Sequence, residues 1–246
     1  MTFQHRYAKS RLLARIRAGV LALTIAGAMS ACSWTPQARD PVEGVNRVVF
    51  VFNEGLDALA VKPTARLYES VLPSFVRRGV SNFFGNIEDV FVGVNNVLQG
   101  KPGAGASDIG RVLVNTTVGL LGVFDVASEL GLEKHDEDFG QTFGRWGIGG
   151  GPYVVLPVFG PRTLRDTAGF VLDSSVDPVA RVSDVATRNS LSILRIVNTR
   201  ADLLPADKVI EEAALDKYAY VRDAYLQRRN NLVYDGDPPR RNWDEE

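Results

Sequence analysis

From residue 40 to residue 233 apolar residues recur at three- and four-residue spacing, and prolines and glycines cut the recurrence into short runs. That spacing belongs to a helix face. Strand-like stretches are scarce, confined to Tyr153-Val154-Val155-Leu156 and the residues after Pro157. The chain is therefore predicted to be all-α, one domain of short to medium amphipathic helices with glycine and proline corners and little or no sheet. No internal repeat and no second domain boundary is visible.

Asp40-Pro41-Val42-Glu43 reads as a helix start, with Asp at the cap, Pro at the first helical position and Glu three residues on. The helix it opens is expected to reach Ala60, with Val45, Val48, Val49, Phe52, Leu56 and Leu59 on one side and Phe50 and Val51 on another. A helix apolar over so much of its girth is either deeply buried or touching lipid, and the sequence leaves both open. Lys62-Pro63 and Pro73 are expected to restart helices, Gly85-Asn86 to break one, Gly100 to end one, and Ser107-Asp108 to cap the next. Val112 to Ala127, whose only charge is Asp125, suits an interfacial or re-entrant element or a buried core helix. Further helices are predicted from Thr163 to Ser174, from a cap at Ser183, and from Pro205 to Val233, with a charged tail over residues 235–246.

Residues 1–31 carry Arg6, Lys9, Arg11, Arg15 and Arg17, then an uncharged apolar stretch from Ala18 to Met29. The stretch is too short to cross a hydrocarbon core of ~30 Å, so it reads as an export signal. It ends in Met29-Ser30-Ala31-Cys32, which holds the one cysteine of the chain. A lone thiol in an exported protein needs a use, and a lipobox provides it: Cys32 becomes the acylated N-terminus, and residues 32–39 tether it to the domain at 40–234. Met29 stands where Leu is commoner, and the alternative is an ordinary cleavage site beside an incidental cysteine. Ser33, in place of Asp, points to the outer membrane rather than inner-membrane retention. Removing the five leader cations from 28 basic and 29 acidic residues leaves 23 against 29, a mildly acidic protein unsuited to nucleic acid.

Few residues offer chemistry. His5 lies in the leader, so the mature chain has one histidine, His135, and a zinc site of His and Cys is nearly ruled out. No G-x-S-x-G surrounds any serine. His135 beside Asp136-Glu137-Asp138 reads as a surface-loop histidine. The acidic pairs Asp136/Asp138, Asp166/Asp173 and Glu211/Glu212 have the residue types for a cation or a glycosidase, but nothing in the sequence ties them to one cleft. In the glycine-rich run EDFGQTFGRWGIGGGPYVVLPVFGP, residues 137–161, a dinucleotide fingerprint fails because Pro152 occupies the third glycine's place, and no G-K-[ST] closes a phosphate loop. Gly147 to Gly151 are left as a bend, after a helix ending near Trp146 and before an extended Tyr153–Val158. No catalytic residue, metal or cofactor is assigned.

Asp40-Pro41-Val42-Glu43-Gly44-Val45-Asn46-Arg47, Phe52-Asn53, Gly79-Val80-Ser81-Asn82-Phe83-Phe84, Asn95-Asn96-Val97-Leu98-Gln99-Gly100, Asp138-Phe139-Gly140-Gln141-Thr142 and Thr163-Leu164-Arg165-Asp166 occur in order along the chain. Together with Trp146-Gly147, Gly151-Pro152-Tyr153-Val154 and Gly160-Pro161, these blocks resemble the MlaA (VacJ) family of outer-membrane lipoproteins over residues 39–234. The resemblance implies a ring-shaped helical protein lying within the outer membrane around an amphipathic channel, lipid-anchored with periplasmic access and often associated with trimeric porins. It also implies removal of mislocalised phospholipid from the outer leaflet to a periplasmic carrier, which maintains lipid asymmetry. A lipid-modifying hydrolase using His135 or a carboxylate pair, and a purely structural lipoprotein, are the other readings. The resemblance leaves the lipid-binding residues, the porin and the headgroup preference unknown.

Overall fold

The computed structural model describes residues 40–239, apart from the side chains at 208, 209 and 211–213, and the chain from Val42 onward packs as one unit. The leader at 1–31, Cys32, the tether to residue 39, the side chains of Glu211 and Glu212, and residues 240–246 of the tail lie outside the described residues.

The fold is almost entirely helical. Helix α1 (Glu43–Leu56) runs through a π turn (Asp57–Val61) into α2 (Lys62–Val71), followed by α3 (Ser74–Leu98), α4 (Pro102–Thr117), a single turn α5 (Val126–Glu129) and α6 (Phe139–Arg145). A hairpin of β1 (Tyr153–Leu156) and β2 (Gly160–Thr163) pairs Tyr153 with Thr163 and Leu156 with Gly160. Helix α7 (Leu164–Val176), a 3-10 turn (Val179–Arg181), α8 (Val185–Ala213) and α9 (Lys217–Val233) complete the order.

Helix starts differ from the sequence reading where a side chain is engaged elsewhere. Asp40 does not cap α1; the N-cap is Val42, because the Glu43 carboxylate that would close a capping box is held by Arg47 Nε at 2.7 Å. Lys62-Pro63 does open α2, with the proline in its first turn and the helix ending at Val71 as expected, although the π turn before it leaves no break in the helical path. Gly85-Asn86 does not break α3, because buried Asn86 donates to Thr116 Oγ1 at 2.9 Å from inside the helix. Ser107-Asp108 caps nothing: α4 starts at Pro102, and Asp108 faces the core in mid-helix. Asp184, not Ser183, caps α8 through Thr187 N at 2.7 Å. Pro205 lies inside α8, whose turns on either side of it are held to the π turn and α2 by Arg200–Asp57 at 2.8 Å and Lys62–Asp207 at 2.8 Å. The last helix therefore starts at Lys217, capped by Asp216.

Other boundaries agree with the sequence. Gly100 ends α3 at φ +81, Trp146 caps the end of α6 with Gly147 at φ +89, and Thr163 caps α7 through Asp166 N. β1 is the extended stretch expected after the glycine bend, but it stops at Leu156 instead of Val158, which turns with φ +70.

The hairpin is held on its second edge by side chains instead of a strand. Asn46 Nδ2 donates to Tyr153 O at 3.0 Å, and Asn46 Oδ1 accepts Val155 N at 2.9 Å. One heptad on, Asn53 Nδ2 donates to Leu156 O at 2.9 Å and Asn53 Oδ1 accepts Val158 N at 2.7 Å. Seven helical residues rise ~10.5 Å, and three strand residues extend ~10 Å, so the two amides on one helix face match the strand repeat. Tyr153, Val155 and Tyr218 form a small apolar cluster there with Val49, Phe50, Tyr225 and Leu226, which joins α1, β1 and α9.

Elsewhere buried apolar residues such as Phe84, Val92 and Val197 share the interior with many polar ones. Arg111, 1% exposed, bonds Asp125 with both oxygens at 2.9 and 3.0 Å, Ser128 Oγ at 2.9 Å and Leu132 O at 2.8 Å, with Asp89 at 3.4 Å. Asn96 donates to Asp108 at 2.8 Å, and Thr142 donates to Asn95 at 2.7 Å. The helices meet where side chains are absent: a Cβ on Gly105 would sit 2.8 Å from Gly93 O, and one on Gly169 would sit 2.3 Å from Gly140 N.

Candidate functional site

The distribution of apolar side chains is inverted. The largest fully buried residues include Arg111, Gln141, Asn95, Asn96 and Asp89, while Val48 is 70% exposed, Phe75 68% and Leu59 86%. Large exposed apolar residues are not confined to one helix; they recur on α1, α2, α4, α7 and α8. Water gives no reason to expose such side chains, and a hydrocarbon surrounding does.

On α1 the exposure rules out the deeply buried alternative the sequence left open. Val45, Val48, Val51 and Phe52 point outward, while Asn46 and Asn53 hold the hairpin. The stretch 112–127 is not one helix: α4 stops at Thr117, and Leu120, Leu121 and Gly122 turn with φ of +52, +58 and +88. Gly122 is needed there, since a Cβ would sit 2.5 Å from Asn86 Cβ. Val118, Leu120, Leu121 and Phe124 all project from this turn. Among the described residues no helix is long and apolar enough to cross a membrane.

A cavity of about 310 Å³ opens between α3, α7 and the loop before α6. Helical periodicity builds two of its walls: Ile87, Glu88, Phe91 and Val92 share one face of α3, and Phe170, Asp173 and Ser174 one face of α7, with Asp177 just beyond it. Asp136, Glu137 and Asp138 come from the loop, Arg162 from β2 and Arg195 from α8.

Most of these charges are neutralised by the fold. Asp177 takes Arg195 at 2.8 and 3.2 Å, Asp138 takes Arg229 Nη1 at 2.6 Å, and Glu137 takes Lys101 at 3.0 Å and Gln99 at 2.7 Å. Asp136 meets Arg228 at 3.5 Å in the open. Among the described residues Arg162, Glu88 and Asp173 have no ion pair; Arg162 lies over the Phe170 ring at 3.9 Å, with its buried Nε unbonded.

Their surroundings leave clear marks on the carboxyls. Burial, and next the nearby Asp138, pushes Asp173 up to about 6, although Phe139 N approaches it at 3.4 Å. Glu88 is exposed to solvent at the cavity rim, and desolvation by the surrounding walls still raises its carboxyl despite the field of Arg195. Burial lowers the Arg162 guanidinium from its usual value. Asp166 behaves otherwise: burial raises it, but Arg229 and Arg165 outweigh burial and hold it below the usual carboxylate range, and Tyr225 Oη donates to it at 2.7 Å.

The structure thus gathers Asp136, Asp138 and Asp173 around one cavity, while Asp166 is set apart under its arginines. His135 is not a free surface residue; its Nδ1 is 3.0 Å from buried Asp108, whose other oxygen takes Asn96. Among the described residues no group of three or more His, Cys, Asp or Glu is arranged for a metal. Sequence reasoning missed Arg162, Arg195, Glu88 and Phe170. The helical spacing of Glu88 with Phe91, and of Phe170 with Asp173, was readable, but which helices face each other was not.

The family model for the MlaA lipoprotein matches residues 38–232. The intermembrane phospholipid transport system lipoprotein MlaA of Shigella flexneri is 36% identical over 228 residues, covering 91% of this chain and 90% of its own length. Its counterpart in Escherichia coli (strain K12) is 35% identical over the same shares. A solved structure described as the structural basis for maintenance of bacterial outer membrane lipid asymmetry superposes with a TM-score of 0.70 at 34% identity, covering 79% of this chain and 98% of that one. The chain belongs to the MlaA lipoprotein family.

Proposed function

We propose that this chain is an outer-membrane lipoprotein that takes phospholipid from the outer leaflet and passes it to a periplasmic carrier, maintaining lipid asymmetry. The inverted distribution carries the reading: side chains such as Val48, Phe75 and Leu121 suit a lipid surrounding, while the cavity beside Glu88, Phe91 and Arg162 offers polar and apolar walls together. A phospholipid needs both, one for its head and one for its acyl chains. The relatives' names, which speak of intermembrane phospholipid transport, point the same way.

Cys32 is acylated and anchors the chain, a trimeric porin shares its place in the membrane, and no covalent step is used. His135, tied to Asp108, is a structural residue in this reading. Deleting the gene should let intact phospholipid accumulate in the outer leaflet, and both the wild type and His135→Ala should reverse that accumulation. A folded, correctly located His135→Ala that fails to reverse it points instead to a hydrolase. Cys32→Ser should release the protein from its acyl anchor; retained acylation would refute that assignment.

A further inference from the structure

We infer that the cavity between α3 and α7 is a headgroup site for a phospholipid bearing a primary amine, with Arg162 on the phosphate diester and Glu88 and Asp173 on the ammonium. The inference rests on the phospholipid-transport reading and adds which charges the cavity accepts.

Four of the six carboxylates on its walls are already matched: Asp136 to Arg228, Glu137 to Lys101, Asp138 to Arg229 and Asp177 to Arg195. What the fold leaves over is one cation and two anions, all lining the same space. Arg162 and Asp173 are half-buried and Glu88 lies at the open rim, so charges left without a partner around one cavity fit a ligand that brings the complement. The complement here carries both signs.

Arg162 is the suitable phosphate reader. Phe170 holds its guanidinium flat at 3.9 Å, and no carboxylate occupies its donors. On the facing walls Glu88 belongs to α3 and Asp173 to α7, and both hold acceptor oxygens for an ammonium. Desolvation raises both carboxyls by more than the nearby cations lower them, and a bound ammonium would offset that. A glycerol headgroup would satisfy Arg162 but leave both carboxylates facing no positive charge, and a trimethylammonium could not donate to them. At about 310 Å³ the cavity lies at the small end of ligand pockets, which run roughly 300–1,000 Å³. That size suits a headgroup, with Ile87, Phe91 and Phe170 beside the first carbons of the acyl chains.

The test is native mass spectrometry of the full chain in detergent, titrated with phosphatidylethanolamine, phosphatidylglycerol and water-soluble glycerophosphoethanolamine. The wild type should prefer the ethanolamine lipid by about fivefold or more, and Glu88→Gln with Asp173→Asn should bring that preference to about one while leaving the glycerol lipid bound. Arg162→Gln should weaken both lipids about tenfold, and Arg162→Lys, which keeps the charge, should recover most of that. Glu88→Gln alone, open to the cavity, gives a variant whose folding is not at issue and should show part of the loss. Equal binding of the two lipids by the wild type, an unchanged preference in the double variant, or unchanged affinity in a folded Arg162→Gln would overturn the headgroup assignment. Soluble headgroup binding as tightly as the lipid would overturn the lipid as its source. Absence of any phospholipid binding by the wild type would refute the transport reading itself.

Discussion

Single side chains in this protein do opposite jobs with the same chemistry. Arg111 is buried with every direction filled by Asp125, Ser128, Leu132 and Asp89, whereas Arg162 is left with a ring beneath it and a cavity in front. Truncating one partner of such a buried network leaves charges stranded, so Arg111→Ala should cost about 3–5 kcal/mol, read from denaturation in detergent. Asp173 behaves in the reverse sense. Its folded carboxyl, pushed up to about 6, lies above the unfolded value of about 3.9, so the folded state holds a proton that the unfolded chain has released. Stability from this group is therefore full below about pH 4 and falls as pH rises toward 6. Asp173→Asn should be more stable than the wild type by roughly 1–2 kcal/mol at pH 7, with the difference vanishing below about pH 4. An equal difference at both pH values would exclude titration as the cause. The carboxyl types were legible in the sequence, but their surroundings were not: Asp138 and Asp173 are 35 positions apart and meet only because α6 and α7 cross at Gly140 and Gly169.

At the scale of elements, the hairpin shows how a two-stranded sheet persists in a helical protein. Two strands alone are marginal, and Asn46 and Asn53 supply the missing edge from α1. Asn46→Leu keeps the bulk but leaves Tyr153 O and Val155 N unpaired in the interior. It should cost about 2–4 kcal/mol and raise amide exchange along β1 before any other element, as hydrogen-exchange mass spectrometry would show. Exchange that rises evenly across the molecule would contradict the edge role. Helix type and many ends were readable in the sequence, Gly100 and Trp146-Gly147 among them, because caps and glycine turns are local. Errors arose where a distant partner overrode a local signal. Arg47 took the Glu43 carboxylate from the Asp40 cap, and the ion pairs around Asp207 carried α8 through Pro205.

Over the whole molecule, the decisive property is that polarity runs from inside to outside in the unusual order. Helical spacing showed in the sequence that α1 was apolar on more than one side, but spacing cannot distinguish a buried face from one bathed in lipid. The exposure of Val45, Val48 and Val51, beside buried Asn95, Asn96, Asp108 and Arg111, rules out a buried face and supports the lipid-facing reading. The exposed turn of Leu120 and Leu121 offers a direct check, since neither packs into the core. Leu120→Glu with Leu121→Glu should leave denaturation within about 0.5 kcal/mol of wild type and weaken partition into vesicles at least tenfold by flotation. Unchanged flotation would mean that this turn does not meet lipid. The claim that this chain moves phospholipid without altering it is met most directly by lipid mass spectrometry of the protein purified from its own membrane. Intact diacyl phospholipid held by the wild type is the predicted result; no bound phospholipid, or lysophospholipid and free fatty acid in its place, would contradict it.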